Sequence, residues 1–380
     1  MSEGSRAALV RAVSRRSFLG GSAAVLACGP GLGLKAMPVP TAQLPNTSAL
    51  KRAAQYSGKT LGMFTVAWEL QHDHEAAAII ANTFSMIADG NDLKFADYLR
   101  PTPTTYDFSY GDTAVSWAEQ HGLLFRAHCL VWWNALPKWF DTYVTTANAK
   151  QVMVEHIKNV VGHYAGRVYS WDVVNEPLAD DNRNGGLRVK PWLNLVGPDY
   201  IDIAFRTAHA ADPQARLVLN ECYIEHNTPL EIGRRACLLA LAQRLKKSGV
   251  PVTTLGLQSH LRGDTPLDKH GMVTFLKRVQ DLGLDIFVTE LDVEDYKVPG
   301  PLIDQTVADK YGEYLELVTP YAKVITFEQL RDDPSLPKRP DGLAHRPNLF
   351  DEAYQPTQAY RAVVHTLANS HAAFSASLGK

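Results

Sequence analysis

Two glutamates stand directly after short apolar runs of the 380-residue sequence. Glu176 closes Trp171-Asp172-Val173-Val174-Asn175-Glu176, and Glu290 lies in Val288-Thr289-Glu290-Leu291-Asp292. A charged group at the end of a buried run is costly unless something requires it. A pair of carboxyls about 5–5.5 Å apart is what retaining glycoside hydrolysis requires: one protonates the leaving oxygen and the other attacks the anomeric carbon. The acid must start protonated and the nucleophile must stay ionised, so the two need different surroundings. Glu176 sits between Asn175 and Pro177, with no basic neighbour in sequence. Glu290 can receive His260, from Gln258-Ser259-His260, with Asp292 orienting the imidazole. An Asn-Glu pair alone reads better as a helix cap or loop ion pair, and a lone strand-end glutamate reads equally well as a salt bridge. The two together, with a histidine between them in sequence, favour catalysis.

Positioning such a pair requires a scaffold. Eight short runs rich in branched residues predict strands buried on both faces: 61–66, 83–87, 123–129, 168–174, 216–219, 254–257, 285–288 and 323–327. Helical stretches alternate with them. In 151–164, Ile157, Val160, Val161 and Tyr164 share a face; in 198–211, Ile201, Ala204, Phe205 and Ala208 do so. In 231–248 the expected stripe is Ile232, Ala236, Leu239 and Ala240. Thr265-Pro266 reads as the start of a helix carrying Leu276, Val279 and Leu282. Leu302, Tyr311, Tyr314, Leu315 and Val318 mark another. The pattern predicts an α/β fold, a single-domain (β/α)8 TIM barrel. The competing open doubly wound sheet usually carries a glycine-rich phosphate turn after its first strand, and Gly62 is isolated. In a barrel the active site lies at the C-terminal strand ends, where both glutamates fall.

These motifs, with His128-Cys129-Leu130-Val131-Trp132 after the third run and Asn91-Asp92-Leu93-Lys94-Phe95 after the second, resemble glycoside hydrolase family 10, the endo-1,4-β-xylanase family. Gly197-Pro198-Asp199-Tyr200-Ile201 and Leu349-Phe350-Asp351 extend the likeness over roughly residues 60–365. The resemblance implies a retaining β-glycosidase that cleaves internal β-1,4-xylosidic bonds, with Glu176 as acid/base and Glu290 as nucleophile. It implies that Asn175 bonds the sugar 2-hydroxyl and that His260 and Asp292 support the nucleophile. Asn91, Lys94, His128, Trp132 and Gln258 match glycone-side sugar contacts, and Tyr223 and Glu328 occupy further substrate-facing positions.

The departures fall in those binding positions. Gly90 precedes Asn91 where the family usually has glutamate, and Trp133-Asn134-Ala135 replaces His-x-Gln. The strand-five motif reads Asn220-Glu221-Cys222-Tyr223. Glu328 stands where a tryptophan usually roofs the catalytic sugar, and Leu336 replaces a second tryptophan. Loss of stacking faces weakens a fit to plain xylose chains, so a related glycosidase acting on another β-linked glycan, such as an exopolysaccharide, stays open. A catalytically dead glycan-binding protein is the third reading. Retention of both glutamates with His260 and Asp292 argues against it.

Two carboxylates suffice for this chemistry, so no metal and no cofactor are expected. His72-Asp73-His74-Glu75 reads as a solvated loop, and His156 and His163 as exposed helix residues. Residues 1–36 resemble a twin-arginine export signal, Ser14-Arg15-Arg16-Ser17-Phe18-Leu19 followed by an apolar stretch. Cys28, in Leu26-Ala27-Cys28-Gly29, also fits a lipoprotein cleavage site. Residues 37–58 have linker composition, 59–370 form the barrel and 371–380 a tail. Without residues 1–36 the balance is 33 basic to 39 acidic residues, which argues against nucleic acid and anionic membrane as partners. Beyond that leader no apolar run reaches the roughly 20 residues of a membrane span. A periplasmic or secreted monomer acting on a polysaccharide or oligosaccharide is expected. The remaining cysteines, Cys129, Cys222 and Cys237, match no zinc or redox spacing. Replacing Arg15 and Arg16 together by lysine should strand the protein in the cytoplasm, read by cell fractionation; unchanged export would refute the leader assignment.

Overall fold

A computed structural model of the chain describes residues 48–179, 181 and 186–378. The expected export segment, Cys28 within it, and residues 37–47 of the expected linker lie outside those residues. All eight expected strands are present: β1 (Thr60–Thr65), β2 (Met86–Asp89), β3 (Leu124–Ala127), β4 (Ser170–Asn175), β5 (Arg216–Glu221), β6 (Thr254–Leu257), β7 (Asp285–Glu294) and β8 (Ala322–Phe327). Each pairs in parallel with the next, and β8 pairs with β1, so the sheet closes into a (β/α)8 barrel. Closure removes every free sheet edge and buries the strands on both faces, which is why they read as continuous apolar runs. A short extra strand, His260–Arg262, continues past β6 and pairs with the far end of β7, matching His260 to Asp292. That register is what brings the two side chains together.

The helices cover the outside, with four differences from expectation. Ser48–Ser57 is a helix rather than linker: Leu50 is buried, and its amide donates to the Tyr360 hydroxyl at 3.3 Å on the C-terminal helix. That helix, Gln358–Leu378, runs through most of the expected tail. The third difference concerns Asp268, not Thr265-Pro266, which caps helix Lys269–Asp281 by accepting from the Gly271 amide at 3.1 Å. Lastly, the helix Pro229–Lys247 turns the opposite face inward. Ile232, Ala236 and Ala240 are exposed, while Glu231, Arg234, Arg235, Leu238 and Leu239 are buried. The polar inner face has a purpose. Arg234 donates to the carbonyls of Ala179 at 3.1 Å and Cys222 at 3.4 Å and pairs with Glu221 at 3.4 Å. Arg235 donates to Ile224 and pairs with Asp268. The helix thereby fastens the loops that leave β4 and β5, whose buried carbonyls need donors.

His72-Asp73-His74-Glu75 is not a loop: His72 ends the helix Ala67–His72, His74 and Glu75 begin the helix His74–Thr83, and Asp73 between them caps the second by accepting from the Ala76 amide at 3.0 Å. Cys129, Cys222 and Cys237 are free thiols. Among the described residues no helix is long and apolar enough to cross a membrane.

His156 is buried rather than exposed. Its helix, Ala149–His163, presents 149, 152, 153, 156, 157, 160 and 161 inward, so His156 falls within the apolar stripe. Its ring stacks on Phe95 at 4.0 Å, and neither ring nitrogen has a hydrogen-bond partner. Burial first, and then the Arg100 charge, push its pKa well below the ordinary histidine value. Below about pH 6.5 the unfolded chain takes up a proton at this ring that the folded chain refuses. Stability is therefore lost as pH falls below that point. His156→Leu should lose less stability than the parent between pH 7 and pH 5, read from urea midpoints; equal losses would refute this.

Candidate active site

The barrel mouth is built from strand ends held in tense backbone. Glu176 after β4, Tyr223 after β5 and Ser259 after β6 have φ of 51°, 54° and 64°. Non-glycine residues rarely occupy this left-handed region, and such strain collects where geometry must be exact to function. At Glu176 the conformation is held by its amide, which donates to the Asn220 carbonyl at 2.9 Å, and by Arg188 Nε, which donates to the Glu176 carbonyl at 3.2 Å.

Glu290 is buried in β7 and surrounded by donors. Asn220 Nδ2 donates to its Oε1 at 2.7 Å, and His260 Nε2 lies 3.4 Å from its Oε2. His128 Nδ1 is 3.9 Å away on the other side. Burial alone would raise this carboxyl. The hydrogen bond from His260 and the charges of His128, His260 and Arg126 outweigh burial and hold it at about 2. His260 in turn contacts Asp292 at 2.9 Å. Burial would lower its pKa, but the charges and hydrogen bonds of Asp292 and Glu290 outweigh it and carry it well above the ordinary value.

Glu176 is half-buried and faces different partners. Trp133 Nε1 donates to its Oε2 at 2.9 Å, and Gln258 Nε2 reaches its Oε1 at 3.3 Å. Gln258 Nε2 also donates to Asn175 Oδ1 at 3.1 Å, which accepts from Asn220 at 2.9 Å too. Asn220 is oriented by Thr289, whose hydroxyl donates to its Oδ1 at 2.7 Å. The two glutamates are thus tied through one chain of amides. Gly256 makes room for it, since a Cβ there would stand 2.3 Å from Asn220 Oδ1.

The remaining sequence-predicted residues line the same mouth. Lys94 Nζ lies 5.4 Å from the centre of the Trp132 ring, and the Trp132 and His128 rings are 6.3 Å apart. Tyr223 lies 6.5 Å from His260, ring to ring. Glu328, just past β8, donates its amide to the Leu291 carbonyl at 3.1 Å. Asn91 Oδ1 accepts from Tyr98 at 3.1 Å in the loop after β2. At the neighbouring Gly90 a Cβ would stand 3.2 Å from both the Thr65 carbonyl and Val66, which accounts for the small residue there.

Sequence reasoning missed four participants. Asn220 sits at the end of β5, and only its position at a strand end marks it, since its partner Glu290 is distant in sequence. Arg126 and Asp172 interrupt apolar runs, which is the signal of a buried ion pair. They pair with each other, and Asp172 accepts from His128 Nδ1 at 2.7 Å beneath Glu290. Trp133 entered only as a departure, although its indole faces Glu176. Among the described residues two groups have the spacing of metal ligands, His128/Asp172/Glu290 and Glu225/His226/Glu231. Both are already committed internally. Arg126 sits beside the first, and in the second His226 uses Nδ1 toward Glu231 at 3.0 Å and Nε2 to accept the Arg262 amide at 3.0 Å.

Residues 49–366 match the model of "Glycosyl hydrolase family 10". The chain belongs to that family. It is a glycoside hydrolase with the family's barrel. A β-1,4-xylanase of Dictyoglomus thermophilum is 34% identical over 303 residues, 75% of this chain and 83% of that protein. The crystal structure of native xylanase 10B from Thermotoga maritima superposes with a TM-score of 0.77 at 29% identity, covering 85% of this chain and 99% of that one. Xylanase 10B from Thermotoga petrophila RKU-1, solved with xylobiose, gives 0.77 and 29%, covering 85% and 98%.

Because His260 is the largest influence holding Glu290 ionised, His260→Asn should raise the Glu290 pKa. The acid limb of kcat/KM should move up by about 1–3 pH units. An acid limb left in place would show that His260 does not set the charge of Glu290.

Proposed function

We propose that this glycoside hydrolase is a retaining endo-β-1,4-xylanase in which Glu290 is the nucleophile and Glu176 the acid/base. The observation that carries the assignment of roles is the contrast between the two carboxyls: Glu290 lies among His260, His128 and Asn220, whereas Glu176 is held by two neutral donors, Trp133 and Gln258. In the first step a Glu290 oxygen attacks the anomeric carbon while Glu176 gives its proton to the departing glycosidic oxygen. In the second, Glu176 takes a proton from water, the water oxygen attacks the same carbon, and the Glu290 ester bond breaks. Asn175 has its carbonyl oxygen occupied by Asn220 and Gln258. Its amide hydrogens are left to meet the sugar 2-hydroxyl, an interaction that strengthens as charge develops on the ring.

The substrate rests on the relatives: a β-1,4-xylanase by name and a structural neighbour solved with xylobiose. Release of xylo-oligosaccharides from the interior of xylan, seen as an early fall in viscosity, is the expected activity. Absence of products from xylan would move the enzyme to another β-linked glycan.

The roles can be separated by rescue. With an activated aryl β-xyloside, azide should restore turnover to Glu176→Ala and give a β-glycosyl azide, because the ester on Glu290 still forms. In Glu290→Ala, azide attacks from the opposite face and should give the α-anomer. Exchanged anomers would invert the two roles, read by proton NMR of the products.

A further inference from the structure

The placement of His260 depends on a strand, His260–Arg262, that is three residues long. On one edge it pairs with β7, which matches His260 to Asp292 and Arg262 to Glu294. On its other edge no strand pairs with it among the described residues. Side chains from the loop after β5 take that place. Glu225 Oε1 accepts from the Ser259 amide at 3.1 Å, and His226 Nε2 accepts from the Arg262 amide at 3.0 Å. Because a backbone amide donates to it, Nε2 carries the lone pair and the ring proton sits on Nδ1. From there it is donated to Glu231 Oε2 at 3.0 Å, and the His226 amide donates to the same oxygen at 2.7 Å. The other Glu231 oxygen pairs with the Arg262 guanidinium. Glu231 thus holds Arg262 twice, directly by its side chain and through His226 by its backbone. His226 and Glu231 are both buried, and neither chemical step uses them.

We infer that His226, braced by Glu231, is a positioning residue for the reaction: by accepting the Arg262 amide it keeps the strand His260–Arg262 in the register that sets the His260 ring between Asp292 and Glu290. The inference rests on the reading of Glu290 as the nucleophile and extends it to residues that never meet the sugar. A slip of one residue turns every side chain of a strand to its other face, so here it would carry the His260 ring away from both carboxyls. So short a strand has few ladder bonds of its own to resist that slip, and a second set of acceptors on its free edge supplies what the ladder lacks. The tolerance is small. His260 stands 2.9 Å from Asp292 and 3.4 Å from Glu290, and a displacement of about 1 Å takes either contact beyond hydrogen-bonding range. Glu231 lies in the first turn of helix Pro229–Lys247, so the helix that fastens the loops after β4 and β5 also fixes the support of the nucleophile.

The test is the pH profile of kcat/KM on an activated aryl β-xyloside, measured on the whole enzyme. His226→Leu removes the acceptor and should move the acid limb upward by about 0.5–1 pH unit, as Glu290 loses part of its hold on His260. His226→Gln sets an amide oxygen where Nε2 stood and should leave the limb where the parent has it. The double variant His226→Leu/His260→Asn should show the limb of His260→Asn alone, because no ring is left to position. A merely structural role would lower the urea midpoint of His226→Leu and leave its acid limb unmoved. Should His226→Leu fail to fold, Glu231→Gln carries the same test: it weakens the hold on both His226 and Arg262 and should move the limb in the same direction. A limb that moves in His260→Asn but stays in place in the folded His226 or Glu231 variant overturns this inference and leaves the reading of Glu290 standing, as does a double variant whose shift is the sum of the two. If His260→Asn leaves the limb in place as well, both fail.

Discussion

A carboxylate held ionised inside a closed barrel is the constraint around which the rest is arranged. Moving an ion of this kind out of water costs several kcal/mol even after relaxation, and Glu290 is buried. Three sets of partners compensate it. His260, set by Asp292, faces it on one side, His128 with Arg126 and Asp172 stands on another, and Asn220 fixed by Thr289 supplies a neutral donor. Each set joins residues far apart in sequence, so each depends on barrel closure to exist. The short strand His260–Arg262 and its register with β7 is the local feature that makes the His260–Asp292 contact.

The same demand reaches the outer layer. Glu221, at the end of β5, accepts from the Leu178 amide at 2.9 Å just beyond Glu176 and is itself paired by Arg234. Burial pushes its carboxyl up to about 7 despite that arginine. The helix Pro229–Lys247 therefore acts as a clamp on the loop bearing the acid/base candidate rather than as a plain apolar cover. Its charged inner face is the consequence of polar strand ends on the catalytic side of the barrel.

That clamp also shows where sequence reading stops. Strand number and order were legible because strands buried on both faces give unbroken apolar runs, and both glutamates could be placed from the barrel rule alone. The helix Pro229–Lys247 was misread because its apolar residues occur on both faces, and choosing between them requires knowing that Arg234 and Arg235 have carbonyls to satisfy. His156 was misplaced because histidine reads as polar, although its spacing belongs to the buried stripe. Asn220 went unassigned as a partner of Glu290 because nothing local distinguishes an amide that bonds a residue 70 positions away. Helix Ser48–Ser57 was hidden by flanking prolines, and its order comes from the distant Tyr360 helix.

The central claim is that the ionised, donor-ringed carboxyl forms the covalent bond to the sugar. A 2-deoxy-2-fluoro-β-xylobioside with a good leaving group slows both steps, and the leaving group speeds the first, so the ester accumulates. Mass spectrometry of the peptic digest should place the added glycosyl mass on the peptide containing Glu290, on that residue alone. A label on Glu176, or a fully turned-over inhibitor yielding inverted product with no labelled peptide, would contradict it.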